Sequence, residues 1–499
     1  MTETNLQNKN IYEDLIQEMI LDGIDGMTPE LKELIQSSPI DKRRSMILTI
    51  LEENNVEHRL MCDKIRKTVE VDNYSEMNHI KDVVGMLREY VKVSKTEVKT
   101  KGEVMTPISL VEEMLDTLPY EVWTNPNLKW LDPCNGVGTF FSVIIERLMK
   151  GLSSWQPDEK LRYKHIVENM IYACELQAKN LFLYLYAFDP KDEYALNVYC
   201  GSYLDKGFNE HMSEMWNIEK FDVIVMNPPY QELKEGNKKS KPLWDKFVIK
   251  TISELVNGGY LVAVHPSGWR NLDGAFKEVQ ILLKSKQLTY LEIHDVFDGN
   301  KVFGASTRYD FYCLHNTPNT MFTKIKTQDG KLERVDISNM EFIPNGKFKE
   351  INNLLAKFGE EKVNILYSRS AYGTDKKHMN KTQNEKFVYP CAMNINVKNQ
   401  VGCEWYSETN KNGHFDIPKV IFGVFGKGVY IDEDGSYGLC QHCRAVVDTS
   451  DKLPYIEKAM LSDRFVELML MTDVGGLGTL FNQKIISLFR KDFWKDFLN

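Results

Sequence analysis

No stretch of this 499-residue chain is apolar over the roughly 20 residues that a membrane-spanning helix requires, so nothing in it reads as an integral membrane segment. Its polar first residues, Met1 to Asn10, lack the apolar core of a secretory signal, so export is not expected. Cysteine is scarce and odd in number, nine in all, which fits a reducing cytoplasm and excludes a disulfide-built scaffold. Positive charge is also short. With 62 Lys and Arg against 71 Asp and Glu the net charge is −9, which excludes a surface coated throughout for nucleic acid while leaving room for a local basic face.

That charge is unevenly spread. The first 60 residues hold twelve acidic and six basic side chains, whereas 362–427 holds ten basic and five acidic, so a face for phosphates is expected late in the chain. Residues 1–98 read as a helical accessory domain. Ile11, Leu15, Ile16, Met19 and Ile20 recur at helical spacing, as do Met46, Ile47, Ile50 and Leu51, and Pro29 and Pro39 sit near helix starts. This region carries no carboxylate pair with lysine at nuclease-like spacing. Over 99–318, short β-rich runs alternate with helical patterns, which predicts an α/β, doubly wound parallel sheet with strands near 128–132, 170–174, 196–200, 221–226, 259–265, 288–294 and 308–314. From 319 to 499 the pattern is mixed α/β, with a strand at 419–422, a turn at 432–438 and closing helices at 454–468 and 480–489.

The most informative string is Asn227-Pro228-Pro229-Tyr230, which follows the apolar run 221–226 and reads as a buried strand emptying into a rigid loop. Two prolines fix φ and remove two backbone donors, leaving carbonyl acceptors; the Asn227 side chain adds another acceptor and Tyr230 a flat ring. Such a loop suits a planar exocyclic amine, whose N–H groups it can hold. Upstream, a strand at 128–131 runs into Asp132-Pro133-Cys134-Asn135-Gly136-Val137-Gly138-Thr139-Phe140 and then a helix, the makings of a nucleoside-binding turn. Glu175, at the end of the second strand, stands where a carboxylate accepts ribose hydroxyls.

Together these strings resemble the gamma-class S-adenosylmethionine-dependent DNA adenine-N6 methyltransferases of restriction-modification systems. Asp132 to Phe140 is similar to that family's cofactor motif, Asn227 to Tyr230 to its catalytic motif, and Gly102-Glu103-Val104-Met105-Thr106-Pro107 to the element packed on the methionine end of the cofactor. The resemblance runs from about 102 to 314. It implies a Rossmann-like methyltransferase sheet with a terminal antiparallel strand, an N-terminal helical domain, and a C-terminal target-recognition, DNA-binding domain over 319–499. It implies S-adenosylmethionine as cofactor, held by Thr106, Pro107, Asp132, Pro133, Cys134, Gly136, Gly138, Phe140, Glu175, Ser202, Tyr203 and Asn227. Catalysis falls to Asn227, Pro228, Pro229 and Tyr230, with Phe303 of Val302-Phe303 packing on an extruded adenine. One departure stands out: Ser202 occupies the place where the family carries an acid for the cofactor's adenine, and Asp205 lies close enough in sequence to substitute. Tyr203 would pack on that adenine ring.

The expected partner is double-stranded DNA, with a separately encoded restriction endonuclease as a partner typical of the class. Cytosine-N4, RNA-adenine and protein-amide methylation use similar chemistry and remain open at this stage, as does a modification and specificity part of a larger restriction assembly. Other strings mislead. Cys440-Gln441-His442-Cys443 with Cys391 and Cys403 allows a zinc site to be drawn, but only one closely spaced pair is present, and no metal is expected. Pro133-Cys134 and Pro390-Cys391 lack the surroundings of a cytosine-C5 nucleophile, and Asp432-Glu433-Asp434-Gly435 lacks the remaining ligands of a calcium loop.

Overall fold

The structure is a computed structural model. It describes residues 13–19, 27–39, 42–43, 45–47, 80–81, 84–85 and 106–498, except 190–191, 233–240, 273, 368–377, 397, 412–413, 425 and 476–479. Most of the expected N-terminal helical domain, and Gly102 to Met105 of the first motif, therefore lie outside the described residues. Within them, α1 (Pro29–Ser37) starts as its sequence suggests: Thr28 caps it and Pro29 fills its first turn. No helix of the described residues is long and apolar enough to cross a membrane.

The chain forms two compact units, 1–266 with 278–325, and 267–277 with 326–499. In the first, seven strands of a central sheet run in the order β3-β2-β1-β4-β5-β7-β6. They are β1 (Trp130–Asp132), β2 (Ile171–Glu175), β3 (Asn197–Cys200), β4 (Phe221–Met226), β5 (Leu255–Pro266), β6 (Lys286–His294) and β7 (Tyr309–Pro318). Strands β1 to β5 pair in parallel, and β7 runs antiparallel to both β5 and β6. This is the doubly wound, Rossmann-like sheet expected, with its terminal antiparallel strand.

Burial explains why these runs are strands. A parallel strand covered on both faces reads as continuously apolar, and β1 and β2 are buried along their whole length. The intervening helices α2 (Ile108–Leu115), α3 (Thr139–Gly151), α4 (Glu159–Asn169), α5 (Ala178–Phe188), α6 (Lys206–Glu214), α7 (Trp244–Glu254) and α8 (Lys277–Ser285) follow. Those from α2 to α5 supply much of one core with Trp130, Phe141, Ile144, Leu181, Phe182 and Val225. A further helix, α9 (Val296–Phe303), lies between β6 and β7, capped by Asp295 and ended by Gly304 in the left-handed region at φ 65°.

The second unit holds two four-stranded sheets, ordered Asn364–Leu366, Cys443–Val447, Lys419–Gly423, Val429–Asp432 and Met379–Asn380, Val401–Ser407, Tyr389–Ile395, Gly438–Leu439. Its 267–277 segment is held by fully buried Arg270, which donates to the Ile343 carbonyl at 2.9 Å and Asn345 Oδ1 at 3.0 Å. The expected closing helix over 454–468 is two helices, Leu453–Leu461 and Asp463–Met471, because the Ser462 side chain caps the second. Over 480–489 only Gln483–Ile486 is helical.

Candidate active site

Strand register gathers the motif loops. β1 lies between β2 and β4, with Trp130 and Leu131 level with Val223 and Ile224 on one side and Asp132 level with Ala173 on the other. The loops that leave Asp132, Glu175 and Met226 therefore emerge together at the carboxyl end of the sheet, where open α/β sheets bind their ligands. They line a cavity of about 520 Å³ with Thr106, Asp132, Pro133, Cys134, Gly136, Phe140, Glu175, Ser202, Tyr203, Asn227, Pro228 and Pro229.

Each wall has a local cause. Gly136 sits at φ 56° and Gly138 at φ 90°, a region costly for other residues. A methyl at Gly138 would come within 2.6 Å of both the Tyr184 and Phe188 rings, so the loop can enter α3 only with glycine there. The Gly136 N–H donates to Glu175 Oε2 at 2.8 Å and the Gln177 N–H to Glu175 Oε1 at 2.8 Å, which fixes the carboxylate at the cavity wall. Asp132 Oδ1 accepts the Cys134 N–H at 3.1 Å. Burial pushes the Asp132 carboxyl up to about 8; the Cys134 N–H opposes this and the neighbouring Glu175 adds to it. Burial likewise pushes the Cys134 thiol well up, with Asp132 and Glu175 adding, which disfavours the thiolate. Two carboxyls so placed favour a cationic ligand.

Asn227 bridges loops 121 residues apart, its Nδ2 donating to Thr106 Oγ1 at 2.9 Å. Tyr230 and Phe303 do not line the cavity. They meet each other, edge to face, with ring centroids 6.3 Å apart. The Tyr230 hydroxyl is buried with no hydrogen-bond partner among the described residues. Pro107 stands at the N-cap of α2 and also lies off the cavity. Tyr203 lines it but is 1% exposed, its hydroxyl donating to Glu254 Oε2 at 2.5 Å and its ring tilted against Phe247. Ser202 Oγ accepts the Leu204 N–H at 3.3 Å, and exposed Asp205 lines the same wall.

Sequence reasoning did not single out Asn135, Thr139, Leu176, Gln177, Gly201 and Leu204, which also line the cavity, as do Leu243, Lys246 and Phe247 beside the start of α7. The first six flank the recognised residues, and adjacency to a motif was the available signal. Glu254 had none, because its link to Tyr203 spans two elements. Among the described residues no three His, Cys, Asp or Glu side chains group as a metal set.

Residues 155–303 match the family model described as Eco57I restriction-modification methylase. That stretch includes Glu175, Ser202, Tyr203, Asn227 to Tyr230 and Phe303, and leaves out the Asp132 to Phe140 loop. A relative described as an uncharacterized adenine-specific methylase of Mycoplasma pneumoniae (strain ATCC 29342 / M129 / Subtype 1) is 28% identical over 271 residues, covering 40% of this chain and 63% of its own length. The chain thus spans just under two thirds of that relative. Among solved structures, a modification subunit of a putative type I restriction enzyme from Vibrio vulnificus YJ016 is 19% identical, with a TM-score of 0.38 over 52% of this chain and 53% of its own. The type IIL restriction-modification enzyme MmeI in complex with DNA is 10% identical, with a TM-score of 0.42 over 76% and 65%. Both superpositions are loose.

Proposed function

We propose that this protein is a restriction-modification DNA methyltransferase that transfers a methyl group from S-adenosylmethionine to the N6 amino group of adenine within a specific sequence. The observation that carries this reading is the single cavity shared by the Gly136–Glu175 wall and the Asn227-Pro228-Pro229 loop. Similarity to restriction-modification methylases and to an adenine-specific methylase supports it.

The residues present fit the cofactor. Glu175 faces a cavity of the size usual for small-molecule sites, the glycine turn lets backbone approach closely, and buried Asp132 favours a positive ligand. When bound, S-adenosylmethionine supplies an already activated methyl group. Thr106, Asp132, Gly136, Phe140 and Glu175 would hold it, with Asp205 or Ser202 at its adenine. The target adenine would leave the duplex, since its amino group is out of reach inside the stack, and lie against Tyr230 with Phe303 beside it. Asn227 and the Pro228 carbonyl would accept the amino N–H groups and turn the nitrogen lone pair outward. Positioning of this kind supplies on the order of 7 to 11 kcal/mol without a covalent enzyme intermediate. The second unit, with its basic stretch, would read the target sequence, and a separate restriction endonuclease would be the natural partner.

The test is transfer of label from S-adenosylmethionine to unmethylated genomic DNA, with nucleoside analysis of the digest. Label in N6-methyladenine is the expected result; label in N4-methylcytosine, or on RNA or protein alone, overturns the base assignment. Asn227→Ala should lose turnover and keep cofactor binding.

A further inference from the structure

One carboxylate oxygen ties helix α9 to two strands beside the Tyr230 and Phe303 rings. His294, at the end of β6, and Tyr309, at the start of β7, are direct partners across that antiparallel pair. Their rings stack at 4.3 Å with only 5° between planes. Both turn to Asp298 on α9: the Tyr309 hydroxyl donates to Asp298 Oδ2 at 2.6 Å, and His294 Nδ1 lies 2.5 Å from the same oxygen. A carboxylate oxygen accepts, so Nδ1 is the protonated nitrogen in this arrangement. Glu292 Oε1 stands 3.5 Å from His294 Nε2, and Asp295 caps the helix through the Asp298 N–H at 2.9 Å.

The same helix ends in Phe303. Its ring meets the Tyr309 ring edge to face at 4.8 Å and the Tyr230 ring at 6.3 Å. At the level of Asp298 the helix presses on the following loop: a methyl on Gly299 would stand 1.9 Å from the Thr307 carbonyl oxygen. The helix is short, eight residues, and an isolated helix of that length does not hold its own shape in water. Its place must come from such contacts.

We infer that Asp298 is a positioning residue that, through Tyr309 and His294, sets Phe303 against Tyr230 and so builds the aromatic wall on which an extruded base is captured. This rests on the reading of the protein as a base-extruding methyltransferase. Asp298 touches neither substrate nor cofactor in this role. It exchanges the entropy of a mobile short helix for one fixed ring position, which a flat ligand needs if it is to be held in one orientation against the wall.

The test uses the full chain. Wild type first methylates plasmid DNA, and mapping the product identifies the target adenine; duplexes are then made with 2-aminopurine at that position. Tyr309→Phe removes one hydroxyl and keeps the ring. It should lower kcat/KM for DNA by about tenfold, the worth of one lost hydrogen bond at the wall. Its 2-aminopurine complex should be brighter than that of wild type, because the extruded base is less well stacked, while S-adenosylhomocysteine binds unchanged. Asp298→Asn keeps an oxygen for the Tyr309 hydroxyl and should restore most of the signal, whereas Asp298→Ala should not. Unchanged kinetics and fluorescence in Tyr309→Phe would overturn the inference alone. A wild-type protein that leaves adenine in DNA unmethylated overturns the reading beneath it. If Tyr309→Phe fails to bind S-adenosylhomocysteine, His294→Gln, which removes the ionisable imidazole from the Asp298 contact, decides by the same two measurements.

Discussion

Asn227 Nδ2 donates to Thr106 Oγ1 at 2.9 Å, so the amide of the Asn227-Pro228-Pro229 loop is oriented by a residue at the start of another element. Because Nδ2 is taken, the carbonyl end of the amide is turned away from Thr106. Thr106→Val keeps the volume and removes the acceptor. A fall in kcat of about tenfold is expected, from the loss of roughly 1 to 1.5 kcal/mol of orientation. Thr106→Ser should stay near wild type. Steady-state methyl transfer at saturating S-adenosylmethionine measures both, and equal rates for Val and Ser would remove the role.

The buried Asp132 carboxyl predicts that the ligand-free protein loses stability as pH rises towards 8. Its carboxyl, pushed up to about 8 by burial, keeps its proton in the folded chain at pH values where the unfolded chain, near its ordinary value, has lost it. The folded state then binds more protons, so stability falls as pH rises from about 4 to about 8. Thermal unfolding between pH 6.5 and 8, above the range in which buried His265 opposes the trend, should show that fall, and Asp132→Asn should flatten it. A sulfonium ligand favours the charged carboxylate, so affinity for S-adenosylmethionine should gain on that for S-adenosylhomocysteine as pH rises towards 8. Parallel pH profiles for the two ligands would contradict this.

Much of this site was legible because its parts are local. Apolar runs marked the seven strands, and the loops that leave Asp132, Glu175 and Met226 follow from parallel pairing once the strands are placed. Asn227 and Thr106 were each found by motif, yet their bond is a fact of packing across 121 residues. Phe303 was marked only by resemblance, as a ring packing on an extruded base; it ends helix α9, whose eight residues are too few to show a period and are capped by Asp295 and Gly304. The His294 and Tyr309 pair needs the register of β6 against β7, which slips at 286–287 and 288–290, so counting back from one strand does not predict it. In the second unit most strands are short, down to two residues at Met379–Asn380 and Gly438–Leu439, and too brief for alternation to register.

Buried His265 predicts a loss of stability towards acid. It is fully buried, stacked on Trp244 at 4.3 Å, with Nδ1 3.0 Å from the Pro266 carbonyl and Nε2 3.1 Å from the Tyr312 hydroxyl. Burial lowers it to about 4, so between its ordinary 6.5 and 4 the unfolded chain takes up a proton that the folded chain refuses. The His265 contribution to stability is therefore lost as pH falls through that window, by roughly 3 kcal/mol at most, against the opposite trend from Asp132. His265→Gln should be less stable at pH 7 and show a shallower loss between pH 6.5 and 4 in chemical unfolding. An unchanged slope would assign acid sensitivity to other groups.

In the second unit, Lys419 and Asp432 face each other across two strands and form an ion pair at 2.6 Å, 0% and 3% exposed. Asp432 also accepts the Ser436 N–H at 2.8 Å and the Tyr437 N–H at 3.1 Å, so the string that resembles a calcium loop is a turn closed on its own carboxylate. Lys419→Met leaves that carboxylate buried beside two N–H groups without its cation, and a loss of about 3 to 5 kcal/mol is expected. The double variant Lys419→Met with Asp432→Asn removes both charges and keeps the turn's acceptor, so it should recover a large part of that loss. Unfolding of the two variants in parallel measures the difference; a double variant as unstable as the single one would mean that the turn depends on the charge of Asp432 itself rather than on its pairing.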